Sequence, residues 1–165
     1  MKYRHLALAS LLGFTLSACN SNEASDDVWS QYQSEAENTQ KLIKEGNLTQ
    51  IERSASGLVT LSKQILPLVT AKQAKCDAYL DAALSAADNM VTLSLEAIER
   101  DYHADGKLPK VEAAECYHAK DLLVHPATVV VLTKGQDNPT LRAQMQDEIA
   151  EVIEHFAQVK ASAGQ

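Results

Sequence analysis

Apolar residues recur three and four apart through almost the whole chain after residue 26, and this period constrains the fold more than any other feature. Trp29, Tyr32, Ala36, Thr39 and Ile43 share one face of a first helix, which Ser25 or Asp26 can cap and Gly46-Asn47 ends. Leu48, Ile51, Ala55, Leu58, Leu61 and Ile65 form the stripe of a second. Its run of small residues, Ser54-Ala55-Ser56-Gly57, leaves a shallow patch where another helix can approach. Pro67 is expected to break or kink this helix at Leu66. Pro109 suits the first turn of a helix reaching Val124, which His125-Pro126 interrupts. The β-branched run ATVVVL (127–132) has no second strand to pair with, so it reads as one or two buried helical turns. Gly135 supplies a stop, and Asn138-Pro139 start the clearest helix, with Leu141, Met145, Ile149, Val152, Phe156 and Val159 on one face. The expected fold class is all-α: one domain, residues 26–162, forming an antiparallel bundle of about five to six kinked helices.

Ahead of that domain stand a short basic start, MKYRH, an apolar run, LALASLLGFTL, and then LSAC at residues 16–19. The apolar run is too short to span a bilayer, which takes about 20 residues, but it suits the core of a signal peptide. Leu16-Ser17-Ala18-Cys19 resembles the lipobox of bacterial lipoproteins. That resemblance implies a signal peptide of residues 1–18, a diacylglyceryl thioether on Cys19 and acylation of its new amino group. Asn20, where an inner-membrane protein would carry Asp, implies sorting to the outer membrane, with the domain facing the periplasm. Residues 19–25 then read as lipidated cysteine and polar tether, which at ~3.5 Å per residue keeps the domain within about 25 Å of its bilayer.

Loss of residues 1–18 removes Lys2 and Arg4 and no acid, so the net charge of −7 becomes −9. A domain this acidic is repelled by phosphate backbones and anionic headgroups, which excludes nucleic acid as a partner. With Cys19 assigned to lipid, Cys76 and Cys116 form an even pair in an oxidising compartment, which suggests a disulfide; two buried free thiols are the alternative. The pair also bears on topology. Were residues 68–103 one straight helix and the next one antiparallel, Cys76 would stand about 40 Å from the connecting loop and Cys116 about 12 Å. A bridge needs Cα atoms within about 7 Å, so the span must fold back. Asp88-Asn89 is the best place for the reversal, giving separate helices over 68–87 and 90–103.

One loop invites a chemical reading. DYHADGKLPKVE (101–112) matches the calcium-loop template of EF-hands at Asp101, Asp105, Gly106, Leu108 and Glu112. It departs from that template at His103, where an oxygen ligand belongs, and at Pro109, and the chain has no second such loop. The same residues also make an Asp-Gly turn followed by a helix start, with Glu112 favourable in the first turn. The histidines carry acids at helical spacing: Glu99 and His103, Asp121 and His125, Glu151 and His155, and a single Glu115-x-x-His118. Di-iron bundles use two Glu-x-x-His copies plus two further carboxylates, so the pairs read as solvent-side acid–imidazole contacts. Haem is not expected, because residues 27–45 hold no Met and there is no C-x-x-C-H.

No nucleophile–base arrangement, phosphate loop or glycine-rich turn after a strand is present in the sequence. The expectation is therefore a non-enzymatic envelope lipoprotein, held to the bilayer through Cys19 and acting on another envelope protein as an adaptor or assembly factor. Its alternative is a metal- or ligand-binding module centred on the 101–112 loop, with Asp101, Asp105 and Glu112 holding calcium.

Overall fold

The structure, a computed structural model, describes the backbone of residues 21–165 and the side chains of residues 28–165. The segments read as signal peptide and lipobox, and Cys19, lie outside those residues. Six α-helices carry the fold: α1 (Ser21–Glu45), α2 (Leu48–Thr70), α3 (Asp77–Met90), α4 (Leu95–Ile98), α5 (Ala114–Leu132) and α6 (Pro139–Ser162). A 3₁₀ turn (Ala74–Cys76) leads into α3, and α4 runs on into a π-helical turn (Glu99–His103). The described residues hold no strand, so the fold is all-α as expected, and α1 begins at Ser21, inside the segment read as tether.

Four long helices form the frame, with α1 against α2, α2 against α5, α5 against α6 and α6 against α1. Side-chain ties fix their directions. Arg142, at the start of α6, donates to Ile43 O and Gly46 O at the end of α1 (2.6 and 2.9 Å). Gln73, just past α2, donates to Ser162 O at the end of α6 (2.9 Å). The frame is therefore up-down-up-down, with α3 and α4 inserted between its second and third helices. The Cys76–Cys116 disulfide joins the starts of α3 and α5, Cα atoms 5.2 Å apart. Lys134, beyond the end of α5, donates to Val91 O beyond the end of α3. So α3 lies parallel to α5, and the span 68–103 folds back on itself.

The boundaries differ from the expectation in four places, each for a local reason. Helix α2 passes Pro67 and ends at Thr70, since a proline this near the end removes one hydrogen bond while Leu66 and Val69 stay buried. A turn at 71–73 then separates it from α3, which starts only at Asp77. The reversal after α3 falls at 91–93, not at Asp88-Asn89: Asn89 O accepts from Thr92 N (2.9 Å), and Ser94 caps α4 through Ala97 N (3.2 Å). Helix α5 starts at Ala114, because Leu108, which would have to cap a helix beginning at Pro109, is apolar and buried.

The fourth difference matters most. Helix α5 runs unbroken through His125-Pro126. Pro126 has no N–H for the Leu122 carbonyl four residues back, an orphan that would normally end or kink a helix. The Tyr32 hydroxyl donates to that carbonyl (2.6 Å) and the Ser62 hydroxyl lies 2.5 Å from it. Tyr32 is itself fixed by stacking on Phe156 at 5.5 Å, with Trp29 tilted against the same ring at 5.8 Å. With its carbonyl partnered from two neighbouring helices, α5 becomes the enclosed axis of the molecule, buried at every residue from Ala119 to Leu132.

Candidate metal centre

From Ala119 to Leu132 helix α5 is enclosed on all sides, yet one of its faces is polar. His118, Asp121, His125 and Thr128 follow at spacings of three, four and three, which places them in one row. On the antiparallel α6, Glu148, Glu151 and His155 form a matching row. The two rows meet along the α5–α6 seam, and His103, the last residue of the π-helical turn, closes one end. All four histidines among the described residues thus fall in one cluster. Helix π-turns often mark such places, because the extra residue re-aims a side chain.

Two triads of donor atoms form within it, each with all three atoms inside 4.8 Å of one another. The first is His118, Asp121 and His155. His155 Nδ1 stands 3.6 Å from Asp121 Oδ2, and the His118 and His155 rings are 4.3 Å apart. The Nδ1 atoms of both imidazoles are buried without a hydrogen-bond partner. The second triad is His103, His125 and Glu148. Here His125 Nδ1 is 2.6 Å from Glu148 Oε2, and His103 Nε2 lies 3.6 Å from the same oxygen and 2.8 Å from Thr128 Oγ1. Asp121 reaches toward this triad too, its Oδ1 3.8 Å from His125 Nε2. Of the acid–imidazole pairs read as solvent-side, Asp121 and His125 are instead inside, at 3% and 4% exposed, while Glu99 and Glu151 keep to the solvent side.

Burial and neighbours set the protonation of these groups. Burial, helped by the positive charges of His125 and Lys120, pushes His103 down to about 3, so its imidazole is neutral. Burial also lowers His155, with His118 adding to it. Burial alone would lower His125, but the hydrogen bond and charge of Glu148, with Asp121 and Glu151, outweigh it and the net direction is upward. Burial raises Glu99, and the charge of Glu148 adds to it. Imidazole nitrogens beside carboxylates are the donor set of a first-row divalent ion such as zinc. A tetrahedral ion with bonds near 2.05 Å places its donors about 3.3 Å apart, close to the 3.6 Å between Asp121 and His155.

A buried cation supports the cluster from behind. Lys120, fully buried, donates to Tyr102 O (3.0 Å) and His103 O (3.4 Å) and pairs with Asp105 (3.3 Å) and Asp121 (3.2 Å). It holds the backbone that carries His103 and the carboxylate of the first triad together. The sequence reasoning passed over it.

The 101–112 loop is organised differently from a calcium loop. Arg100 and Lys107 hold the Asp101 carboxylate (2.8 and 2.9 Å), and their hydrogen bonds push it down to about 2. Asp105 accepts from the Tyr79 hydroxyl (2.8 Å) and pairs with Lys120, and Glu112 is exposed. The structure does not bring these three acids into either donor group. The turn itself is of the Asp-Gly kind: Asp105 takes a positive φ of 57°, and a Cβ on Gly106 would meet Arg100 O at 2.5 Å.

On the surface, the patch Ser54–Gly57 is covered by α1: Thr39 Oγ1 lies 2.7 Å from Ser54 Oγ, and Gly57 faces Glu35. The large exposed apolar side chains among the described residues are Tyr117 and Ile153, and no described helix is long and apolar enough to cross a membrane. Fold and site define a disulfide-pinned, all-helical bundle with a buried histidine–carboxylate core. No protein family matches the chain, and no characterised protein or solved structure is significantly similar to it.

Proposed function

We propose that the mature chain is a lipid-anchored protein of the bacterial outer membrane, its domain facing the periplasm, that binds a divalent transition-metal ion at His118, Asp121 and His155. One observation carries this reading: two imidazole nitrogens lie buried, side by side and without hydrogen-bond partners, next to a buried carboxylate. An unsatisfied buried polar atom costs about 1–3 kcal/mol, and a metal ion is the ligand that two such lone pairs and a carboxylate suit. The anchor rests on the lipobox at residues 16–19. The role is one of binding, and it takes precedence over a protein-binding adaptor because its support is specific chemistry, whereas the adaptor needs an apolar face.

The test is a thermal melt of the detergent-purified lipoprotein, first with chelator and then with Zn(II), Cu(II), Ni(II) or Co(II). An ion that binds only the folded state stabilises it by about 2.7 kcal/mol at a hundredfold excess over its dissociation constant. A rise in midpoint that His118→Ala and His155→Ala abolish supports the proposal. Midpoints unmoved by all four ions sink it.

A further inference from the structure

The second triad asks whether the bundle takes one ion or two. His103, His125 and Glu148 offer two imidazoles and a carboxylate, the same donor set as the first triad. The two triads are also joined. Asp121 turns Oδ2 toward His155 (3.6 Å) and Oδ1 toward His125 (3.8 Å). His125 in turn offers Nδ1 to Glu148 (2.6 Å), while its Nε2 faces Asp121 and Glu151 (3.3 Å). One carboxylate and one imidazole therefore each touch both halves of the cluster.

The carboxylates are divided between the two triads. Glu99, Asp121, Glu148 and Glu151 bring four carboxylates to the cluster, and among the described residues Lys120 is the lysine paired with it. Asp121 and Glu148 are the least exposed of the four, with side chains 4% and 17% exposed, and one divalent cation in each triad sets a positive charge beside each of them. Access is also separate. A cavity lined by Leu95, Glu99, Leu132, Gln144, Asp147 and Glu148 opens onto the second triad, and its three acids draw cations in. A different one, lined by Ala114, Glu115, His118, Gln158 and Val159, opens onto the first.

We infer that the bundle holds a two-ion centre, with His118, Asp121 and His155 binding the first divalent transition-metal ion, His103, His125 and Glu148 the second, and Asp121 linking them through His125 Nε2. This rests on the reading of the first triad as a metal site. Binding is ordered. The first triad has two nitrogens with no hydrogen bond to give up. The second must part His125 from Glu148 and His103 from Thr128, so it fills at higher concentration.

The experiment is a calorimetric titration of the metal-free lipoprotein with Zn(II), checked by elemental analysis of the dialysed protein. Two ions per chain in two steps are expected. His103→Ala, a change at a partly exposed residue, should weaken the second step by more than the ~10–100-fold that loss of an outer-shell partner costs, and leave the first step in place. Glu148→Gln is the second variant, with the same expectation. Asp121→Asn should weaken both steps. One ion per chain, with His103→Ala and Glu148→Gln unchanged from the parent, overturns the two-ion centre and leaves the single-site function standing. No ion at all overturns both. Two ions whose steps ignore Asp121→Asn overturn the link through Asp121.

Discussion

Replacing Lys120 with Met tests whether the core of this bundle is as dry as its geometry implies. The substitution conserves most of the volume, so packing changes little, but it removes an ammonium that meets two carbonyls, Asp105 and Asp121 at 3.0–3.4 Å and lies 3.9 Å above the Tyr117 ring. What it leaves behind is Asp121, a carboxylate only 3% exposed, with its nearest cation gone. Removing one partner of a buried pair costs about 3–5 kcal/mol, because the other charge stays desolvated. Against a total stability of about 5–15 kcal/mol, that is a large fraction. With an m-value of about 2 kcal/mol/M, the urea midpoint of the oxidised, metal-free protein should fall by roughly 2 M. Circular dichroism through a urea series reads this directly. Adding Asp121→Asn to the Lys120→Met variant should recover at least about 1 kcal/mol, since the stranded charge is then removed as well. A loss of under about 1 kcal/mol for Lys120→Met alone would mean that water reaches the ammonium. The burial argument, and with it the ranking of Lys120 as a support for His103 and Asp121, would then be wrong.

Four further outcomes follow from the same physics. Replacing Cys76 and Cys116 by Ser, which removes a cross-link between residues 40 apart in sequence, should cost roughly 4 kcal/mol in the chain-entropy picture and show as an earlier urea midpoint. Arg142→Ala should cost about 1.5–3 kcal/mol by the same assay, because its guanidinium satisfies Ile43 O and Gly46 O at the end of α1 while Asp137 holds it in place. Millimolar calcium should leave the melting midpoint unmoved, since Arg100 and Lys107 already occupy Asp101; a rise that Asp101→Asn removes would restore the 101–112 loop as a site. Stability of the metal-free protein should fall as pH drops below about 6.5, because His103, among Glu99, Glu148, His125 and Lys120, takes its proton only near pH 3 when folded and the unfolded chain takes it first. His103→Ala should flatten that acid limb in melts run from pH 7 to 4.

Helix content and direction were legible in the sequence because they depend on local spacing. The stripe from Leu141 to Val159 and the Asn138 cap before Pro139 appear as read, with Asn138 accepting from Leu141 N at 2.9 Å. The need for a fold-back between Cys76 and Cys116 was legible as well, since it follows from helix rise and bridge geometry alone. What was not legible depended on distant partners. His125-Pro126 looks like a break until Tyr32 and Ser62, 90 and 60 residues away, are placed on the Leu122 carbonyl. Leu108 looks like an ordinary residue before Pro109 until its burial removes it from capping.

The site was hidden for a related reason, although its signal was present. Reading each histidine against the acid four residues away treats every helix alone, and on a lone helix such pairs face water. The informative pattern is instead the row His118, Asp121, His125, Thr128 on a helix whose other faces, from Leu122 to Leu132, are apolar. A helix that is hydrophobic all round must be enclosed, so any row of polar residues along it must find partners inside. Helix α6 supplies them in the same spacing, Glu148, Glu151 and His155, and an antiparallel neighbour presents that row in reverse order. His125 then meets Glu148 and Glu151, while Asp121 meets His155. The two rows also fix the register of α5 against α6. A shift of one turn, about 5.4 Å, would part Asp121 from His155 and Glu148 from His125. Burying either charge alone is costly enough that this register is specified by the same residues that form the centre.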